Sequence, residues 1–129
     1  MAFNPAFEAI GKNFAKIYYD TFDTNRASLA PLYESTSMLT FEGEQFQGRD
    51  DIIKKLVGLP FSTVQHVITT CDCQPSTDNG VLVFVVGQLK TDNDHPHSFS
   101  QCFHLRPQSA QTNTFVVLND MFRLALHHV

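Results

Sequence analysis

Apolar residues recur every three or four positions at the start of the chain and every second position towards its end. The change of period divides the sequence into a helical part and a stranded part. In NPAFEAIGKNFAKIYYDTFD (4–23), Phe7, Ile10, Phe14, Ile17, Tyr18 and Phe22 fall on one helical face, with Asn4 as N-cap and Pro5 at the first helical position. A shorter helix is expected over Arg26 to Tyr33, distorted by Pro31. SMLTFEGEQFQG (37–48) reads as a hairpin turning at Glu42-Gly43-Glu44, and GRDDIIKKLVGLP (48–60) as a third helix. In that helix Asp50 and Asp51 suit the positive end, and Gly58-Leu59-Pro60 stops it.

From Val64 the pattern alternates. VQHVITTCDC, VLVFVVGQLK, HSFSQCFHLR and TFVVLNDMFRLAL are strands joined by short polar turns, most simply an antiparallel meander. Helices ahead of such a sheet give an α+β fold with the helices on one curved face, in a single domain over residues 1–129. VLVFVVG is apolar at both parities, so this strand is covered on both sides. Helices cover one face only. The other, carrying Phe84 or Val85 and Met121 or Phe122, calls for a second copy of the chain.

Composition narrows the function classes. A formal charge of -4 argues against nucleic acid and against an anionic membrane surface, and leaves a basic protein or a cationic ligand open as a partner. Cys71, Cys73 and Cys102 are odd in number and form no CxxC pair, which suits reduced thiols inside a cell. No signal peptide and no membrane span are expected.

Candidate chemistry concentrates in LKTDNDHPHSF (89–99). A calcium loop starting at Asp92 fails, because Pro96, His97 and Phe103 stand where an oxygen ligand, Gly and Glu are required. Asp92, Asp94, His95 and His97 match no specific metal spacing, and a solvated turn is the plain reading. His66 is either a core histidine or, with Asp92 or Asp94, an acid/base pair in a pocket. Glu42 and Glu44 read as solvent charges at a tight turn, and Cys73 and Cys102 as small buried hydrophobes. GxSxG, Walker, GxGxxG and HExxH motifs are all missing. Two classes stay open: a small enzyme of the isomerase or dehydratase kind using His66, and a binding protein whose apolar pocket is ringed by Glu42, Asp92 and Asp94.

LTFEGEQFQG (39–48), LPF (59–61), VVGQLKTDND (85–94) and NDMFRLAL (119–126), in this order and spacing, resemble the nuclear transport factor 2 family over essentially the whole chain. The resemblance implies a cone: N-terminal helices packed in a strongly bent, mainly antiparallel sheet around a hydrophobic cavity. It further implies a homodimer, formed through the outer sheet face, that binds the GDP form of the Ran GTPase and the FG repeats of nucleoporins. Such a carrier moves Ran from cytoplasm to nucleus through the nuclear pore, with no cofactor and no metal. Position by position, Glu42, Asp92 and Asp94 match the acids that meet basic residues of the GTPase's switch II. Phe41, Leu59, Phe61 and Val64, with His66 close by, match the cavity that receives the switch aromatic. Phe84 and Met121 are expected in the dimer interface, and Phe7 and Val129 at the nucleoporin site. The chain departs from the family in having Phe at 41 and 7 where Trp is usual, and Val129 where an aromatic is usual. The loop RPQSAQTNT is also longer.

Overall fold

The computed structural model describes residues 3–109 and 114–125. The elements are α1 (Phe7–Thr24), a 3-10 helix (Arg26–Leu32), β1 (Tyr33–Phe41), β2 (Glu44–Gln47), α2 (Arg49–Val57), β3 (Val64–Pro75), β4 (Val81–Thr91), β5 (His97–Pro107) and β6 (Phe115–Leu124). Helix α1 begins later than the N-cap pattern suggests, because Asn4 spends its side chain on a local turn and accepts the Ala6 N–H at 2.9 Å. The Arg26 segment winds as a 3-10 helix rather than an α-helix. Pro31 lies inside it and supplies no N–H to an α ladder.

The six strands form one sheet in the order β2-β1-β6-β5-β4-β3. All neighbours are antiparallel except β1 and β6, which run parallel with Met38 opposite Asn119 and Phe41 opposite Phe122. The hairpin expected at 37–48 is therefore not a separate unit. Its first strand starts at Tyr33 and extends the meander along β6. Register shifts between Ile68 and Thr70, and between His104 and Leu105, interrupt the ladders where the sheet curls.

Inside the curl lies α1. Phe14, Tyr18, Tyr19 and Phe22 are buried on its inner face, and Phe14 and Tyr18 meet Phe103 edge-on at 5.0 and 4.8 Å between ring centres. The helix runs so close to β3 that a Cβ at Gly11 would stand 2.4 Å from Cys73 Sγ, so only glycine fits there. Val81, Val83 and Val85 face this core and are fully buried. Between them Leu82 and Phe84 point outward, 37% and 45% exposed, and Met121 is 54% exposed. Phe84 pairs with Cys102 and Cys102 with Met121, which sets these three in one row across the outer face. Among the described residues no helix is long and apolar enough to cross a membrane.

Candidate functional site

Helix α1 fills only part of the cone. Between its C-terminal half, the sheet and α2 lies an open cavity of about 380 Å³. Leu39, Phe41, Leu56, Leu59, Phe61, Val64, His66, Phe122 and Leu124 line it, Tyr18 and Gln101 reach it from the core, and Thr91, Asp94 and His97 stand on the β4–β5 side. Phe41 stacks on Phe122 with ring centres 4.6 Å apart and planes within 9°. On Phe41 also rests the Lys55 ammonium, 5.5 Å from the ring centre.

The mouth is shaped by two turns in which an acidic residue takes a left-handed backbone. Glu42 (φ 51°) and Gly43 (φ 88°) form the two-residue β1–β2 connection, where both positions need positive φ. Glu42 tolerates it because both its ends are bonded. Its N–H donates to Phe122 O at 3.1 Å, and its Oε1 accepts the Leu124 N–H at 2.6 Å. Asp92 (φ 47°) does the same for the opposite side. Its Oδ1 accepts the N–H groups of Ser62 and Thr63 at 3.1 and 2.9 Å and the Thr63 hydroxyl at 3.2 Å, while its own N–H donates to Thr63 O at 3.0 Å. The Thr63 N–H, then that of Ser62, hold the Asp92 carboxyl below the usual carboxylate range. Arg26 anchors the same lip, donating to Phe61 O at 3.2 Å with its guanidinium 4.5 Å from the Phe61 ring centre. Asp94 differs from the other two: among the described residues nothing bonds its carboxylate, which is exposed beside the cavity.

The pairing of His66 with Asp92 or Asp94 is corrected by the structure. Its partner is Asp23, at the end of α1. His66 Nδ1 lies 2.5 Å from Asp23 Oδ1, and the His66 backbone N–H donates to Oδ2 at 2.9 Å. Strand β3 is an edge of the sheet, so Asp23 covers an N–H that no strand can take. Asp92 is held in the lip instead. The His66 side chain is only 3% exposed, packed among Tyr19, Phe22 and Phe99.

Beneath the cavity is a polar cluster that the sequence reading missed. Asp120 on β6 accepts from Tyr33 Oη at 2.7 Å and Gln101 Nε2 at 2.8 Å, with Tyr18 Oη at 3.5 Å; Tyr19 Oη donates to Gln101 Oε1 at 2.7 Å. Burial raises the Asp120 carboxyl to about 6, against the opposing effect of these donors. The available signal was parity, since Asp120 alternates with Phe122 on the inward side. Cys71, Cys73 and Cys102 are free thiols, and burial pushes Cys73 up to about 12, which makes it a poor nucleophile. Among the described residues no group of three His, Cys, Asp or Glu could hold a metal. Phe7 is half-buried at the start of α1, packed against the core, and Val129 lies outside the described residues.

An open cone with an apolar cavity and acids along its mouth defines a small binding domain. Residues 10–124 match the model of the nuclear transport factor 2 (NTF2) domain. The chain is 51% identical over 120 residues to nuclear transport factor 2 of Saccharomyces cerevisiae, covering 92% of this chain and 94% of that protein. To nuclear transport factor 2B of Arabidopsis thaliana it is 50% identical over 119 residues, covering 91% and 93%. The solved structure of nuclear transport factor 2 from Cryptosporidium parvum superposes with a TM-score of 0.91 at 48% identity, covering 96% of this chain and 98% of that one. The chain belongs to the nuclear transport factor 2 family, and with it to the nuclear transport carriers rather than the enzymes.

The Asp120 cluster makes stability depend on pH in a defined direction. A carboxyl raised in the folded state to about 6 contributes stability that is fully present below the unfolded value near 4 and lost as pH rises through 6. Urea unfolding of the parent and of Asp120→Asn should therefore diverge with pH. The parent's advantage should fall by on the order of 2–3 kcal/mol between pH 4 and pH 7; a constant difference would contradict a buried, titrating Asp120.

Proposed function

We propose that the chain carries the GDP form of the Ran GTPase into the nucleus and binds FG-repeat nucleoporins on the way. The observation that supports this most is the pairing of an aromatic-walled cavity of about 380 Å³ with three acids beside its opening. In this reading a switch aromatic of the GTPase enters between Phe41, Leu59, Phe61 and Val64, near His66. Burying one such ring contributes roughly 1.5–3 kcal/mol. Basic residues flanking it meet Glu42, Asp92 and Asp94. A carboxylate offers about four lone-pair sites, so Glu42 and Asp92 keep capacity for a partner while holding backbone N–H groups. The roles differ: Asp94 offers charge alone, whereas Asp92 also sets the lip against which the ring packs. Selectivity for the GDP form follows when only that form presents ring and bases in register with cavity and rim.

The carrier acts as a homodimer in this proposal, joined through the outer sheet face around Phe84 and Met121. An exposed apolar row on a soluble domain is well covered by its own copy about a twofold axis. Phe7 at the start of α1, with Val129, supplies the nucleoporin contact. The working locations are the cytoplasm, the nuclear pore and the nucleus.

Retention of GDP- and GTP-loaded Ran on the immobilised chain tests the assignment. GDP-loaded Ran should be held and the GTP form should not, with retention falling as salt rises. Glu42→Lys should abolish retention, Asp94→Asn should reduce it a few-fold, about the value of one partly exposed charge pair, and Asp92→Asn should lower it further than Asp94→Asn. Equal retention of both nucleotide forms, or of neither, sinks the proposal. Sedimentation at micromolar concentration should give a dimer for the parent and a monomer for Met121→Glu; a monomeric parent would remove the dimer.

A further inference from the structure

The cavity is larger than one aromatic ring requires. An apolar cavity of about 150 Å³ already holds a benzene molecule, and this one measures about 380 Å³. Its wall also carries a polar side chain whose ring is fixed in place. His66 lines the cavity, and its Nδ1 is engaged by Asp23 at 2.5 Å. An ionised carboxylate only accepts, so Nδ1 carries the hydrogen and Nε2 is left on the other edge of the ring. Among the described residues no hydrogen bond reaches Nε2. The ring cannot swing to find one, because Tyr19, Phe22 and Phe99 pack around it with centres 4.8, 5.0 and 5.4 Å away. A mainly apolar chamber with a few oriented polar groups is the usual build of a small-molecule site, and here Tyr18, Thr91, Asp94, His97 and Gln101 share the wall with His66.

We propose that the cavity binds a small phenol, its ring among Leu39, Phe41, Leu56 and Phe122 and its hydroxyl on His66 Nε2. A hydroxyl suits either charge state of the imidazole, since it donates to a neutral Nε2 and accepts from a protonated one. A hydrocarbon of the same shape leaves Nε2 without a partner, and a carboxylate or ammonium group would have to shed its water inside an apolar chamber. The ligand uses space that an inserted side chain would need, so the phenol and a protein partner exclude one another. Phenol binding itself goes beyond the carrier reading and does not rest on it.

The test is a titration of the purified chain alone with p-cresol and with toluene, followed by ¹⁵N NMR of backbone amides and imidazoles. In a cavity that is merely apolar, toluene binds better, because the phenol gives up a hydrogen bond to water. The proposal expects the reverse: p-cresol tighter by roughly fivefold, the value of one net hydrogen bond, with the His66 Nε2 resonance moving for p-cresol and not for toluene. His66→Phe, which keeps a ring in place, should bind toluene and lose the preference for p-cresol. Should that variant fail to fold, the Nε2 resonance of the parent decides. Toluene binding as tightly as p-cresol, saturation by neither, or an Nε2 resonance that stays still would overturn the proposal. None of these outcomes bears on the retention of Ran, so the two readings stand or fall separately.

Discussion

The mouth of the cavity is held by carboxylates that accept backbone N–H groups from another segment. Glu42 ties the β1–β2 turn to the end of β6 through Leu124, and Asp92 ties the β4–β5 turn to the Leu59–Thr63 lip through Ser62 and Thr63. Each bond joins segments far apart in sequence, and each compensates for a left-handed backbone that a non-glycine residue adopts rarely. Charge-assisted bonds of this kind are roughly twice as strong as neutral ones. A third anchor, Arg26 on Phe61, holds the lip from the helical side. Leu59, Phe61 and Val64 line the cavity from this anchored lip.

Behind the mouth, the same economy of residues shapes the interior. Helix α1 brings Tyr18 and Tyr19 under the cavity, where they join Tyr33, Gln101 and Asp120 in one hydrogen-bonded cluster. That cluster satisfies a buried carboxylate and supplies a firm floor. At the end of the helix, Asp23 closes the free edge of β3 and orients His66. Closing an edge and orienting a ring are usually separate tasks, and here one carboxylate does both.

Much of this was legible in the sequence. The alternation from Val64 onward marks the four strands of the meander; of the cover expected on both sides of VLVFVVG, the chain itself supplies the inner one over Val81, Val83 and Val85, while Leu82 and Phe84 stand exposed on the outer face. Phe41, Leu59, Phe61, Val64 and His66 do line one cavity. What escaped was what depends on contacts between distant segments. Tyr33 to Thr36 show no alternation, so the start of β1 was missed, and nothing local announces a parallel pairing with a strand some eighty residues later. Pro31 warned of distortion without saying that the segment would tighten to a 3-10 helix. Pairing His66 with Asp92 or Asp94 erred because it assumed that one pocket brings them together, whereas the end of α1 delivers Asp23 to His66 instead. Asp120 was hidden beside Asn119 in an otherwise largely apolar strand, and only the fold assembles the tyrosines around it.

Amide hydrogen exchange in the parent, Asp92→Ala and Glu42→Ala measures the two staples directly. If they hold the mouth, Ser62 and Thr63 lose protection only in the Asp92 variant and Leu124 only in the Glu42 variant, by about tenfold or more, while the inner amides of β4 and β5 keep theirs. Unchanged protection at these three amides, or protection lost across the whole sheet, would contradict a mouth held by these carboxylates.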